Sequence, residues 1–179
     1  MSTPLLRTAR LVLREPTAAD AAAVLVFRGD PRVQRFNAEP LRDEAEAAEL
    51  IDFLCSESAA DARRHWVIVA GDQVVGLIGL HTWDHGHWRA ELGYELAASH
   101  WGRGLADEAA RAVIEHGFTV MDLHRIEAHT IADNHASVNL LERLGFRLEG
   151  TRRDYTFEDD LAFHDSAVYG LLSTDVRPK

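Results

Sequence analysis

The spacing of apolar positions changes along the chain, and each change marks an element. Arg10-Leu11-Val12-Leu13-Arg14 alternates with period two and predicts an opening strand. Thr17-Ala18-Ala19-Asp20 has the form of a capping box, with Asp in place of Glu, ahead of an apolar run to Phe27, so a helix to about Gly29 follows. The Ala/Glu-rich stretch from Asp43 to about Glu57 puts Leu50, Phe53 and Leu54 on one face and predicts a second helix. Residues His65 to Ala70 and Gln73 to Leu80 are apolar strands, and Gly71-Asp72 between them is a two-residue hairpin turn. Ala90 to Leu96 is a further strand. The stretch from Leu105 to about Phe118 repeats at helical spacing through Leu105, Ala109, Ala112, Val113 and Phe118. Strand Arg125 to Ile131 precedes a short helix, Ala136 to Leu144, with Val138, Leu141 and Leu144 inward and Gly145 placed as its left-handed cap. Strands at Phe146 to Arg152 and Phe163 to Leu171 end the pattern. The order β-α-α-β-β-β-α-β-α-β-β predicts an α/β architecture: a mixed sheet with helices on its faces.

The length of 179 residues suits one domain over 1–179 with a sizeable core. No apolar run is long enough to span a bilayer, and the N-terminus lacks the layout of a signal peptide. One cysteine, Cys55, excludes an internal disulfide and fits a reducing, cytoplasmic setting; its apolar neighbours make it a packed thiol rather than a nucleophile. The net charge of −10 disfavours nucleic acid and is compatible with a cationic substrate such as an amine. Any phosphate ligand must then be held by local geometry.

Trp101-Gly102-Arg103-Gly104-Leu105-Ala106 supplies such geometry. Unpaired N–H groups at a helix start favour an anion, two glycines let the backbone approach it, and Arg103 can add charge-assisted hydrogen bonds. Alone, the stretch would serve equally well as an ordinary turn. Downstream, Asn134 stands at a helix N-cap position and Ser137 one turn in, before Leu144-Gly145-Phe146.

Strand, glycine turn, helix, strand, Asn-x-x-Ser, helix, Gly-Phe: this order resembles the GNAT superfamily of acyl-CoA-dependent N-acyltransferases over nearly the whole chain. Within it, Thr8 to Arg14, Glu91-Leu92-Gly93-Tyr94-Glu95-Leu96, Trp101 to Ala106 and His124-Arg125-Ile126-Glu127-Ala128 resemble the Rim-type branch, the ribosomal-protein N-terminal acetyltransferases and their relatives. The superfamily's loop opens on Gln or Arg; Trp101 departs from that, as aromatic residues do in the Rim-type branch. The resemblance implies a central, mostly antiparallel sheet of about seven strands flanked by about four helices, with acetyl-CoA as donor and no metal. It implies that the backbone of Tyr94, Glu95 and Leu96 pairs with the pantetheine arm and that residues 102–106 cradle the pyrophosphate. Asn134 would then contact the arm or a water, and Ser137 would lie near the sulfur.

Amine acylation needs a base to take the ammonium proton and a donor for the thioester oxygen, which a backbone N–H near Leu96 can provide. Glu91 and Glu95 are both candidates for the base and share a strand face with Gly93, so parity does not separate them. Glu158 is a third, from a region where some Rim-type enzymes use a glutamate; Tyr155 reads as a wall of the cleft. His81-x-x-x-His85-x-His87 is histidine-dense, yet no fourth ligand supports zinc, and a loop facing the acceptor is the better reading. The expected reaction is acetyl transfer to a primary amine: a protein N-terminus, an amino acid or a small amine. A non-catalytic acyl-CoA sensor is the alternative. Edge strands near the C-terminus leave a homodimer open.

Overall fold

A computed structural model describes residues 3–60, 63–157 and 161–178. Its strands are β1 (Leu6–Arg7), β2 (Leu11–Arg14), β3 (Arg64–Ala70), β4 (Gln73–Asp84), β5 (Arg89–Leu96), β6 (Arg125–Ile131), β7 (Arg147–Phe157) and β8 (Phe163–Leu172). Its helices are α1 (Ala21–Arg28), α2 (Pro31–Gln34), α3 (Glu44–Ala59), α4 (Leu105–Thr119) and α5 (His135–Leu144). The strands form one sheet in the order β1-β2-β3-β4-β5-β6-β8-β7, antiparallel throughout except for β5 beside β6. The mixed, mostly antiparallel sheet is as expected. Among the described residues eight strands replace about seven, and five helices replace about four, because β1 and α2 are too short for a periodic signal.

One sheet face is covered along most of its width. Helix α4 turns Leu105, Ala109, Ala110, Val113, Ile114 and Gly117 inward, and α5 turns Leu140, Leu141 and Leu144. They pack on Leu13, Trp66, Ile78, Leu80, Leu92, Ile126 and Leu171. The glycine at 117 brings α4 close: a Cβ there would stand 3.0 Å from Leu80 and 3.1 Å from Ile126. Gly145 caps α5 at φ +93, with the Phe146 N–H reaching the Leu141 carbonyl at 3.0 Å.

The other face is covered on one side only. Helices α1 and α3 bury Val24, Phe27, Ala47, Ile51 and Leu54 over Val67 and Leu77 of β3 and β4. Beyond them, β5 and β6 present Glu91, Gly93, Glu95, Glu127 and His129 at the alternate positions opposite the buried Ala90, Leu92, Ile126 and Ala128. A polar half-face is thus left beside a helix-covered one.

Candidate active site

Strands β5 and β6 pair at Arg89↔Arg125, Ala90↔Ile126 and Glu91↔Glu127, and no further rung follows among the described residues. Beyond Glu91 the sheet therefore opens. The Ala97 N–H donates to the Val75 carbonyl of β4 at 2.7 Å. Strand alternation then turns the main-chain groups of Glu95 toward β4 and those of Tyr94 and Leu96 toward the opening. The close approach of the Glu95 carbonyl oxygen to Gly76, where a Cβ would clash with it, agrees with that orientation. Of the three residues expected to offer an open edge, two have their N–H and C=O on it.

The Leu96 carbonyl is already used: the Trp101 indole Nε1 donates to it at 2.7 Å. Trp101 thus ties the end of β5 to the loop ahead of α4. Gly102 and Gly104 lie at φ +72 and +73, the left-handed region that favours glycine. A Cβ on Gly102 would meet no protein atom within 4 Å, so backbone conformation, not space, requires the glycine. Gly104 is the N-cap of α4 and offers no side-chain cap, leaving first-turn N–H groups to an external acceptor. Its first-turn acids are neutralised locally: Asp107 by Arg111 at 2.7 Å, Glu108 by Arg10 at 2.6 Å.

Across the opening, Asn134 caps α5 through its Oδ1, which accepts the Ser137 N–H at 3.2 Å. That leaves its Nδ2 hydrogens for another partner. The Ser137 hydroxyl and the Tyr94 phenol lie 2.7 Å apart and bridge α5 to β5. Burial pushes the Tyr94 phenol up to about 12, so it stays a neutral hydrogen-bond donor at pH 7.

On the polar half-face the two glutamates of β5 have different surroundings. Glu95 accepts from Arg28 Nη1 at 3.1 Å and from Gln34 Nε2 at 2.9 Å, and its side chain is 9% exposed. Glu91 has its carboxylate 3.5 Å from His129 Nδ1 and 4.0 Å from His81 Nδ1, with 24% of its side chain exposed. Burial lowers the pKa of His81, and holds that of His65, next along the face, at about 4. Both rings are neutral at pH 7. The rings rest on glycines: a Cβ on Gly93 would stand 2.9 Å from His81 Nε2, and one on Gly79 2.5 Å from His65 Cδ2.

Residues 10–147 match the family model of the acetyltransferase (GNAT) domain. The chain belongs to the GNAT acetyltransferase family. It is 39% identical to the uncharacterized N-acetyltransferase p20 of Bacillus licheniformis over 84% of this chain and 86% of that one. It is 33% identical to the uncharacterized N-acetyltransferase YoaA of Bacillus subtilis, over 94% and 97%. Mycobacterium smegmatis RimJ, solved in complex with CoA-disulfide, superposes with a TM-score of 0.82 at 27% identity, covering 91% of this chain and 82% of that one. The chain is a Rim-type member of this family, an N-acetyltransferase that uses acetyl-CoA as donor and an amine as acceptor. The open edge at Tyr94 and the Leu96 N–H, with the uncapped start of α4, fits an amide-bearing, phosphorylated donor.

In this GNAT domain several predicted features lie elsewhere than expected. The histidine-dense stretch is not one loop: His81 belongs to β4 and faces Glu91, His85 stacks on Trp83 with ring centroids 4.1 Å apart, and His87 pairs with Asp84 at 3.0 Å. Among the described residues no group of His, Cys, Asp or Glu is disposed to hold a metal. Tyr155 lies on β7, which runs on to Phe157, and is 57% exposed, with Arg152 over its ring at 4.9 Å. Glu158, the third base candidate, lies outside the described residues. Cys55 is half-buried, its Sγ 3.3 Å from the Pro16 carbonyl oxygen, and burial raises its pKa. Also among the described residues, no helix is long and apolar enough to cross a membrane. Sequence reasoning missed His129, Arg28 and Gln34 at this site. His129 could have been found, since it shares strand parity with Glu127; the other two could not, because nothing local ties them to β5.

Proposed function

We propose that the amine approaches Glu91 on the polar half-face, while the donor lies along the open edge of β5 with its diphosphate at residues 102–106. The observation that carries this reading is that Glu91 occupies the last rung before β5 and β6 separate. The base and the unpaired edge therefore meet at one point. Glu91 takes the ammonium proton, directly or through a water, with the His81 and His129 rings beside it. Glu95 is engaged with Arg28 and Gln34 and acts as a positioning residue. Bound acetyl-CoA supplies the activated acyl carbon and a thiol leaving group. The Tyr94 N–H lies on the open edge on the Glu91 side, where it can stabilise the negative charge that gathers on the acyl oxygen. Tyr94 and Ser137 offer a hydroxyl to the departing sulfur, and Asn134 Nδ2 supports the arm. Holding both reactants in this geometry supplies much of the rate.

The acceptor is a primary amine: a protein N-terminus, an amino acid or a small amine. The net charge of −10 favours a cationic one. The single cysteine supports a cytoplasmic setting for one 179-residue domain, and the exposed edge strand β7, with Leu148 and Phe157 outward, supports a homodimer. The test is thiol release from acetyl-CoA across amines and N-terminal peptides, with product mass as a second readout. Turnover on at least one amine, lost in Glu91→Gln, is expected. CoA binding without turnover on any amine would overturn the catalytic reading in favour of a sensor.

A further inference from the structure

The glycine loop contains one peptide plane with unusual freedom. The Arg103–Gly104 peptide turns about ψ of Arg103 and φ of Gly104, and Gly104, at φ +73, packs against no side chain of its own loop. Such a plane can rotate and exchange the direction of its N–H for that of its carbonyl. Only one of those directions suits an anion.

The turn between β1 and β2, remote in sequence, fixes that direction. Arg10 Nη1 donates to the Arg103 carbonyl at 2.8 Å. In a trans peptide the C=O and the following N–H point opposite ways, so this bond turns the Gly104 N–H away from Arg10. Arg10 is itself held: its Nε donates to Glu108 Oε2 at 2.6 Å and its main-chain N–H to Glu108 Oε1 at 2.8 Å. The Thr8 hydroxyl donates to the same Oε1 at 2.6 Å. Glu108 sits in the first turn of α4, where a bare carboxylate would repel a bound phosphate. Burial alone would raise its pKa, but the bonds from Thr8 and Arg10 outweigh that and hold it below the usual carboxylate range. One bracket therefore neutralises an unwelcome charge and sets the orientation of a peptide that Gly104 would otherwise leave free to turn.

We infer that Thr8 and Arg10, acting through Glu108 and the Arg103 carbonyl, are positioning residues for the donor's diphosphate. The inference rests on the reading that residues 102–106 receive that group. It predicts a specific defect, because pantetheine has the same arm and thiol as CoA without the diphosphate and nucleotide.

The test compares calorimetric dissociation constants for CoA and for pantetheine in the intact protein, Arg10→Ala and Glu108→Ala. The ratio of pantetheine to CoA dissociation constants should fall about tenfold in each variant, the loss of one or two charge-assisted hydrogen bonds. In turnover, the rise should fall on the acetyl-CoA KM and not on kcat. The double variant should lose no more than either single one, since both act through one bracket. Thr8→Val, which removes one bond, serves if the alanine variants fail to fold and should lower the ratio by a few fold. An unchanged ratio, or an equal loss for both ligands, would overturn the inference. Failure of the unaltered protein to prefer CoA over pantetheine would instead overturn the assignment of the loop.

Discussion

Acidification from pH 7.5 to 5.0 should destabilise this protein by about 2 kcal/mol through His65 alone. The ring is 9% exposed, lies against Gly79, and its Nδ1 is buried without a hydrogen-bond partner. Burial first, then the charges of His81 and Arg63, lower its pKa from 6.5 to about 4. The folded state thus binds a proton less readily than the unfolded chain. Stability from this group is fully present above pH 6.5, falls as pH drops through 6.5, and is exhausted near 4. The whole difference corresponds to about 3 kcal/mol, of which about 2 is lost by pH 5. His81 and His116 are also lowered by burial and act in the same direction. The carboxylates held low by partners, Asp20, Glu108 and Glu149, contribute stability that is lost only below their ordinary range, so this window reads histidines. Urea unfolding of the intact protein and of His65→Gln at pH 7.5, 6.0 and 5.0 isolates the term, because the other histidines remain in both. The variant should lack about 2 kcal/mol of the pH dependence. Parallel pH profiles for the two proteins would refute the argument.

Glu91→Gln should lower kcat by about a hundredfold or more with little change in unfolding free energy. Glu95→Ala should leave the Arg28 charge half-buried with only the Gln34 amide as partner, costing about 2 kcal/mol on urea denaturation while kcat falls less than tenfold; the opposite pattern would exchange their roles. Gly104→Ala should cost about 1 kcal/mol for a left-handed alanine and raise the acetyl-CoA KM, measured by initial rates at saturating amine. Tyr94→Phe removes the 2.7 Å contact with Ser137 and should lower kcat several-fold without altering the acceptor KM.

The parts legible in the sequence are those whose cause is local. The left-handed cap at Gly145, the two-residue turn at Gly71-Asp72 and the glycine turn before α4 each follow from one or two residues and appear as expected. Helix α2 carried its own signal, Asp30 as N-cap with Pro31 at the first helical position, but four residues give no period to notice. Strand β7 escaped past Arg152 because almost all its residues are exposed, so no alternation is written into it. The two glutamates of β5 share parity, and what distinguishes them lies on α1 and α2: Arg28 and Gln34 bond Glu95 and leave Glu91 available. A pattern read along one strand cannot contain that information.

Charge shows the same division between local and remote causes. A diphosphate site proposed at a helix start looks self-defeating in a protein of net charge −10, the more so with Asp107 and Glu108 in the first turn of that helix. In sequence the two acids look like ordinary first-turn residues that favour the dipole. In the fold each is matched: Asp107 by Arg111 one turn on, at 2.7 Å, and Glu108 by Arg10 from the turn between β1 and β2, at 2.6 Å. With both carboxylates paired, the dipole and the free N–H groups are not offset at close range. The surplus negative charge on the rest of the surface can then attract a cationic acceptor without cancelling the donor site. The first pairing is visible as an i, i+4 spacing. The second joins residues separated by most of the chain, and it also orients the loop's peptide, so the less legible of the two carries more of the site.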